Sequence, residues 1–125
     1  MDIEKKPKVV GIVDDDESVR DALRGLMKVA GYPALVYASA EEFLSSSEQQ
    51  SIACLITDIR MPGMSGLELQ AKLNTERRRI PIVFITAHGD EEMRIEALRA
   101  GAVEFLMKPV DKNALLASIR AALDS

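Results

Sequence analysis

Four short apolar runs, each closed by polar residues, constrain this chain more than any other feature. Val9-Val10-Gly11-Ile12-Val13 stops at Asp14-Asp15-Asp16, and Ile52-Ala53-Cys54-Leu55-Ile56 stops at Thr57-Asp58. Ile82-Val83-Phe84-Ile85 stops at Thr86, and Val103-Glu104-Phe105-Leu106-Met107 stops at Lys108-Pro109. Ala34-Leu35-Val36-Tyr37 is a weaker fifth run. Runs without polar alternation fit strands buried on both faces, as in a parallel sheet. Helical patterns lie between them. Val19, Leu23, Leu26, Met27 and Ala30 recur at spacings of three and four, with Gly31 as the expected C-terminal cap. Ala40 to Leu44 predicts a short helix capped by Ser39. Leu67 to Leu73, Met93 to Ala100 and Leu115 to Leu123 predict three more. Five such strand–helix units make an open, doubly wound α/β sheet with helices on both faces.

The length of 125 residues suits one domain. Ser45-Ser46-Ser47-Glu48-Gln49-Gln50-Ser51 reads as a polar loop within it. Twenty Asp and Glu against sixteen Lys and Arg give a net charge of −4, which argues against a basic nucleic-acid surface. The single cysteine, Cys54, excludes an internal disulfide and a cysteine zinc site; mid-strand, it reads as a buried, inert thiol. The sequence offers no apolar run of the roughly 20 residues a membrane span needs, and no signal-peptide core near Met1. A cytoplasmic location is the expectation.

Ligands of such sheets bind outside the carboxyl ends of the strands. There the sequence places Asp14, Asp15, Asp16 and Asp58, with Thr86 and Lys108. One Asp alone at such a junction often only caps the following helix, and Asp16 or Ser18 suits that role here. The conjunction of four strand ends points to function. Clustered carboxylates repel unless a cation neutralises them, and an all-oxygen set favours Mg²⁺ over zinc or copper. Lys108 and Thr86 suit a phosphoryl group. A nucleophilic carboxylate, a metal and a lysine together suggest an aspartyl phosphate.

Four segments carry a family resemblance: Ile12-Val13-Asp14-Asp15-Asp16; Leu55-Ile56-Thr57-Asp58-Ile59-Arg60-Met61-Pro62-Gly63-Met64-Ser65-Gly66; Ile85-Thr86-Ala87-His88-Gly89-Asp90; and Ala100-Gly101-Ala102-Val103-Glu104-Phe105-Leu106-Met107-Lys108-Pro109. In this order the chain resembles a response-regulator receiver domain of bacterial two-component signalling, of a FixJ-like or NtrC-like kind, over residues 8–123. The resemblance implies a flavodoxin-like (βα)5 fold with a five-stranded parallel sheet of order 2-1-3-4-5. It implies that Asp58 accepts a phosphoryl group from a sensor histidine kinase. Asp15, Asp58 and the backbone carbonyl of Arg60 would bind Mg²⁺, with Asp14 acting through metal-bound water. Lys108, Thr86 and the Ala87 backbone would contact the phosphoryl group. Phe105 stands where the family carries an aromatic switch residue, commonly tyrosine. The implied protein is a signalling switch that catalyses only its own phosphorylation and dephosphorylation.

The expected output is transcription regulation through a further domain or partner; a stand-alone phosphorelay or interaction module is the alternative. No output module is expected within residues 1–125, which read as a single receiver. A phosphatase of the haloacid-dehalogenase type would need a second aspartate two places after Asp58, where Arg60 stands. A flavodoxin-like cofactor binder would need a hydroxyl- or glycine-rich loop where Asp14-Asp15-Asp16 stand. His88 and Arg77-Arg78-Arg79 read as solvated residues, the arginines suiting a helix C-terminus. On helix 4, Met93, Ala97 and Ala100 share one side, and Ile95 and Leu98 the other. The second face is buried by neighbouring helices or free for a partner. The resemblance implies the latter: a homodimer formed on phosphorylation through helix 4 and strand 5.

Overall fold

A computed structural model describes residues 8–124. Strands β1 (Val9–Val13), β2 (Ala34–Tyr37), β3 (Ile52–Asp58), β4 (Ile82–Thr86) and β5 (Glu104–Met107) alternate with helices α1 (Glu17–Ala30), α2 (Ala40–Ser45), α3 (Gly66–Thr75), α4 (Glu91–Arg99) and α5 (Lys112–Asp124). The strands form one parallel sheet in the order β2-β1-β3-β4-β5. β1 therefore lies between β2 and β3, and the chain reverses its direction of travel across the sheet there. That reversal opens a crevice at the carboxyl ends of β1 and β3.

The apolar runs are buried on both faces because each face carries its own layer of helices. Val10, Ile12, Cys54, Ile56, Val83 and Ile85 pack with Leu23 and Met27 of α1 and with Leu115 and Ile119 of α5. Val13, Leu55, Phe84 and Phe105 pack on the other face with Phe43, Leu69, Leu73 and Ala97 of α2, α3 and α4. Cys54 is fully buried, and loss of hydration pushes its thiol up to about 12. The expectation of an inert cysteine agrees with this.

Helix ends follow local chemistry. Asp16, rather than Ser18, caps α1 by accepting from the Ser18 amide at 2.9 Å; the Ser18 hydroxyl and amide together hold the Asp16 carboxyl below its usual value. Ser39 caps α2, and Ser65 forms a reciprocal capping box with Glu68 at the start of α3. Gly31 closes α1 at a φ of 91°.

Two expectations change. The segment 45–51 is not wholly a loop: Ser45 ends α2, and Gln49–Ser51 make a short 3-10 helix leading into β3. Arg77-Arg78-Arg79 lie just beyond α3 and are not all solvated. Arg77 takes a left-handed φ of 58°, and the Arg78 amide reaches back to the Leu73 carbonyl at 2.8 Å. That position favours glycine, and a side chain there costs about 1–2 kcal/mol. The Arg78 guanidinium is half-buried and donates to Gln49 Oε1.

Two α3 side chains tie α4 down. Gln70, itself buried, donates to the Ala97 carbonyl at 3.0 Å, and Asn74 donates to the Ala100 carbonyl at 2.9 Å. Ala97 faces the core and Met93 is half-buried, while Ile95 is 39% exposed on the outer side.

Candidate functional site

The residues predicted for the site meet at the crevice between β1 and β3. Asp14 follows the last residue of β1 and is wholly buried; Asp58 ends β3 and is 7% exposed; Asp15 is exposed beside them. Lys108, which follows β5, reaches across β4 to both buried carboxylates. Its Nζ lies 3.0 Å from Asp14 Oδ2 and 2.9 Å from Asp58 Oδ2. The other oxygen of each carboxylate is held by backbone. Asp14 Oδ1 accepts from the Asp16 amide at 2.9 Å, and Asp58 Oδ1 from the Ile59 and Arg60 amides at 2.6 and 3.4 Å.

Burial pushes the Asp14 carboxyl above the usual carboxylate range, although the Asp16 amide and Lys108 pull the other way. Burial also works to lower the Lys108 ammonium, but its bonds to Asp58 and Asp14 outweigh that and raise its pKa above the usual value. Lys108 is therefore held charged between two acids.

One carboxylate oxygen each from Asp14, Asp15 and Asp58 lie within 4.8 Å of one another. Three carboxylates and one ammonium leave a formal excess of two negative charges. These are hard oxygen donors in an open crevice, so the residues fit a divalent cation of the Mg²⁺ kind. Asp14 has both oxygens engaged, whereas Asp15 has none engaged among the described residues. The unengaged Asp15 suits direct ligation. The Arg60 amide at Asp58 brings the Arg60 backbone to the site, while its side chain stays exposed.

Thr86 ends β4 and is 1% exposed. Its hydroxyl does not join the acidic cluster; among the described residues, Oγ1 accepts only a long bond from the His88 amide, at 3.4 Å. Ala87 follows it, exposed, next to Lys108 along the rim. Phe105 is buried on β5, opposite Phe84. His88 is exposed, as expected of a loop residue.

Two further residues belong to the site and were not singled out by sequence. Arg20, one turn into α1, donates from Nη1 to the Asp14 carbonyl at 2.8 Å and so fixes the β1–α1 loop. Its spacing from Asp14 carries no helical or strand periodicity, so no sequence pattern marks it. Gly89 packs against Thr86 and Phe105. A Cβ there would stand 2.6 Å from Phe105 Cζ and 2.7 Å from Thr86 Cγ2. A glycine just before the α4 cap residue Asp90 was the available signal.

The comparisons with known proteins agree with this geometry. The family model for the response regulator receiver domain matches residues 10–120. The chain is 43% identical over 118 residues to "Response regulator protein TodT" of Pseudomonas putida, covering 94% of this chain and 52% of that protein. It is 40% identical over 114 residues to "Transcriptional regulatory protein FixJ" of Azorhizobium caulinodans, covering 91% and 54%. The chain thus spans about half the length of these curated relatives. Among solved structures, FixJ-N superposes with a TM-score of 0.84 at 38% identity, covering 96% of each chain. Response regulator StyR superposes with a TM-score of 0.88 at 47% identity, covering 95% of this chain and 60% of that one.

Proposed function

The chain belongs to the response regulator receiver domain family, and on that premise we propose that Asp58 is the phosphoryl acceptor of a phosphorylation-driven switch. One observation carries the reading. Asp58 is a nearly buried carboxylate at the end of a central strand, gripped by Lys108 and two backbone amides beside Asp14 and Asp15. Such a grip fixes the nucleophile's direction before the substrate arrives. The donor in this reading is the phosphohistidine of a sensor histidine kinase. A carboxylate oxygen of Asp58 attacks phosphorus, the phosphorus–nitrogen bond breaks, and the imidazole leaves with the electron pair.

Asp15, Asp58 and the Arg60 carbonyl would hold Mg²⁺, with Asp14 acting through water. Bound there, the metal supplies charge neutralisation for the phosphoryl oxygens. Lys108 supplies the remaining positive charge.

The phosphoryl group adds about −1.5 to −2 charge. Lys108 then turns from the carboxylates to the new oxygens, and the Thr86 hydroxyl and Ala87 amide close on them. The Thr86 methyl and the Phe105 ring both border Gly89, so a shift of Thr86 acts on that segment. That displacement reaches α4, whose C-terminal half Gln70 and Asn74 hold in place. Ile95 on α4 and Met107 on β5 are exposed at 39% and 47% and form the surface for a phosphorylation-dependent two-fold dimer. Residues 8–123 act as one receiver unit, and its output is regulation of transcription.

Acetyl phosphate with Mg²⁺ tests the acceptor. One phosphoryl group per chain, mapped to Asp58 and lost in Asp58→Asn while the fold persists, is the expected result. Labelling of Asp14 or Asp15 in the unaltered chain would overturn it.

A further inference from the structure

At the end of the sheet away from the acidic crevice, the segment after α3 and the end of α4 border an open cavity of about 660 Å3. Pro81, just before β4, and Gly101, just after α4, lie on its wall, and Arg77, Arg78 and Arg79 line it together. We propose that this cavity binds a small polyanion, one carrying at least two phosphate or carboxylate groups, through Arg77 and Arg79.

Charge is the first ground. The chain is acidic overall: without these three arginines, thirteen Lys and Arg remain against twenty Asp and Glu. Yet none of the three takes part in an ion pair among the described residues, and Glu76 beside them is already paired with Lys72 at 3.3 Å. Arg78 is spoken for by Gln49; the exposed Arg77 and Arg79 are not.

Among the described residues, no hydrogen bond ties the Arg77 or Arg79 side chain to the end of α3 or α4. The carbonyls they would serve already accept other donors: Leu73 from the Arg78 amide, Asn74 from the Arg77 amide, Leu98 from the Gly101 amide and Ala100 from the Asn74 side chain. Backbone cost is the second ground. Arg77 occupies a left-handed position that glycine fills without strain, so an arginine stands there against local preference. Guanidinium forks match phosphate and carboxylate oxygens in pairs, and the cavity is of small-ligand size. The site is independent of the Asp58 chemistry, which lies at the opposite strand ends.

The test is an amide chemical-shift titration of the whole chain with inorganic pyrophosphate and, separately, with citrate, both without Mg²⁺. Saturable shifts in residues 77–81 and 100–103 with either anion are expected. Pyrophosphate alone would assign phosphate ligands, and both would assign polyanions generally. Removing two charge-assisted contacts in Arg77→Gly/Arg79→Ala should weaken binding about tenfold or more. Arg77→Gly alone should weaken binding while raising the melting temperature, because glycine relieves the backbone. That opposite movement separates lost contact from lost fold. Saturation by neither anion, shifts confined to the Lys108 region, or unchanged affinity in the double variant would overturn the proposal.

Discussion

Gly66→Ala places a methyl group where β3 ends at Asp58. The new Cβ would stand 2.2 Å from the Asp58 carbonyl oxygen, 3.0 Å from Ile59 Cα and 3.1 Å from the Asp58 carbonyl carbon. All three are backbone atoms, so no side-chain rotation relieves the contact. The backbone is also pinned from both sides. The Asp58 carbonyl accepts from the Thr57 hydroxyl at 2.9 Å, and the Gly66 amide donates to the Ile59 carbonyl at 2.9 Å. Overpacking costs about 1–3 kcal/mol, and loss of the Gly66–Ile59 bond adds about 1 kcal/mol, so about 3 kcal/mol is expected. With a urea m-value of about 1.5 kcal/mol/M, the midpoint falls by about 2 M. Gly25→Ala is the control. It lies mid-way along α1 with nothing within 4 Å of the added atom, and should gain about 0.5–1 kcal/mol. Urea unfolding followed by circular dichroism reads both. Displaced Asp58 should also take phosphate from acetyl phosphate more slowly in Gly66→Ala. A midpoint within about 0.3 M of the parent chain would refute the close-approach reasoning.

Asp15→Ala should weaken Mg²⁺ binding more than Asp14→Ala, because Asp14 already spends both oxygens on the Asp16 amide and Lys108; equal losses by calorimetric titration would contradict direct ligation by Asp15. Thr86→Ala should still accept phosphate but lose much of the resulting conformational change, and a phosphorylated spectrum identical to the parent's would remove Thr86 from the switch. Ile95→Glu, on the exposed side of α4, should leave labelling of Asp58 intact and block dimerisation on phosphorylation; sedimentation showing a dimer in this variant would place the interface elsewhere. Cys54 has a folded-state pKa raised from 9.0 to about 12, so its protonated form is the one the fold favours. That contribution is complete below pH 9 and fades as pH rises towards 12. The folded chain should therefore resist iodoacetamide at pH 8 and react once unfolded in urea; equal rates would show that the thiol is accessible.

Periodicity and chain order were enough for the architecture. Uninterrupted apolar runs demand cover on both faces, and helical patterns between them supply it, so a parallel α/β sheet was legible from Val9 to Leu123. The polar residues closing those runs fell at carboxyl ends because a parallel sheet aligns all such ends along one edge. Asp14, Asp15, Asp58, Thr86 and Lys108 are thus legible in the sequence. The strand order itself was implied by resemblance, since periodicity does not say which strands are neighbours.

Contacts between residues distant in sequence were decided only by the tertiary structure. Lys108 lies 94 residues from Asp14 and 50 from Asp58, and only the packing of β5 beside β4 brings its ammonium to both. In sequence, Arg77-Arg78-Arg79 reads as solvated, because a charge run carries no trace of what folds against it. The 3-10 turn at Gln49–Ser51 supplies the Arg78 partner from 29 residues away. Gly89 likewise reads as a loop glycine until the Phe105 ring is seen against it. Local propensity and burial act along the chain and leave a pattern in it; a hydrogen bond or a close approach between distant segments depends on where the whole fold places them.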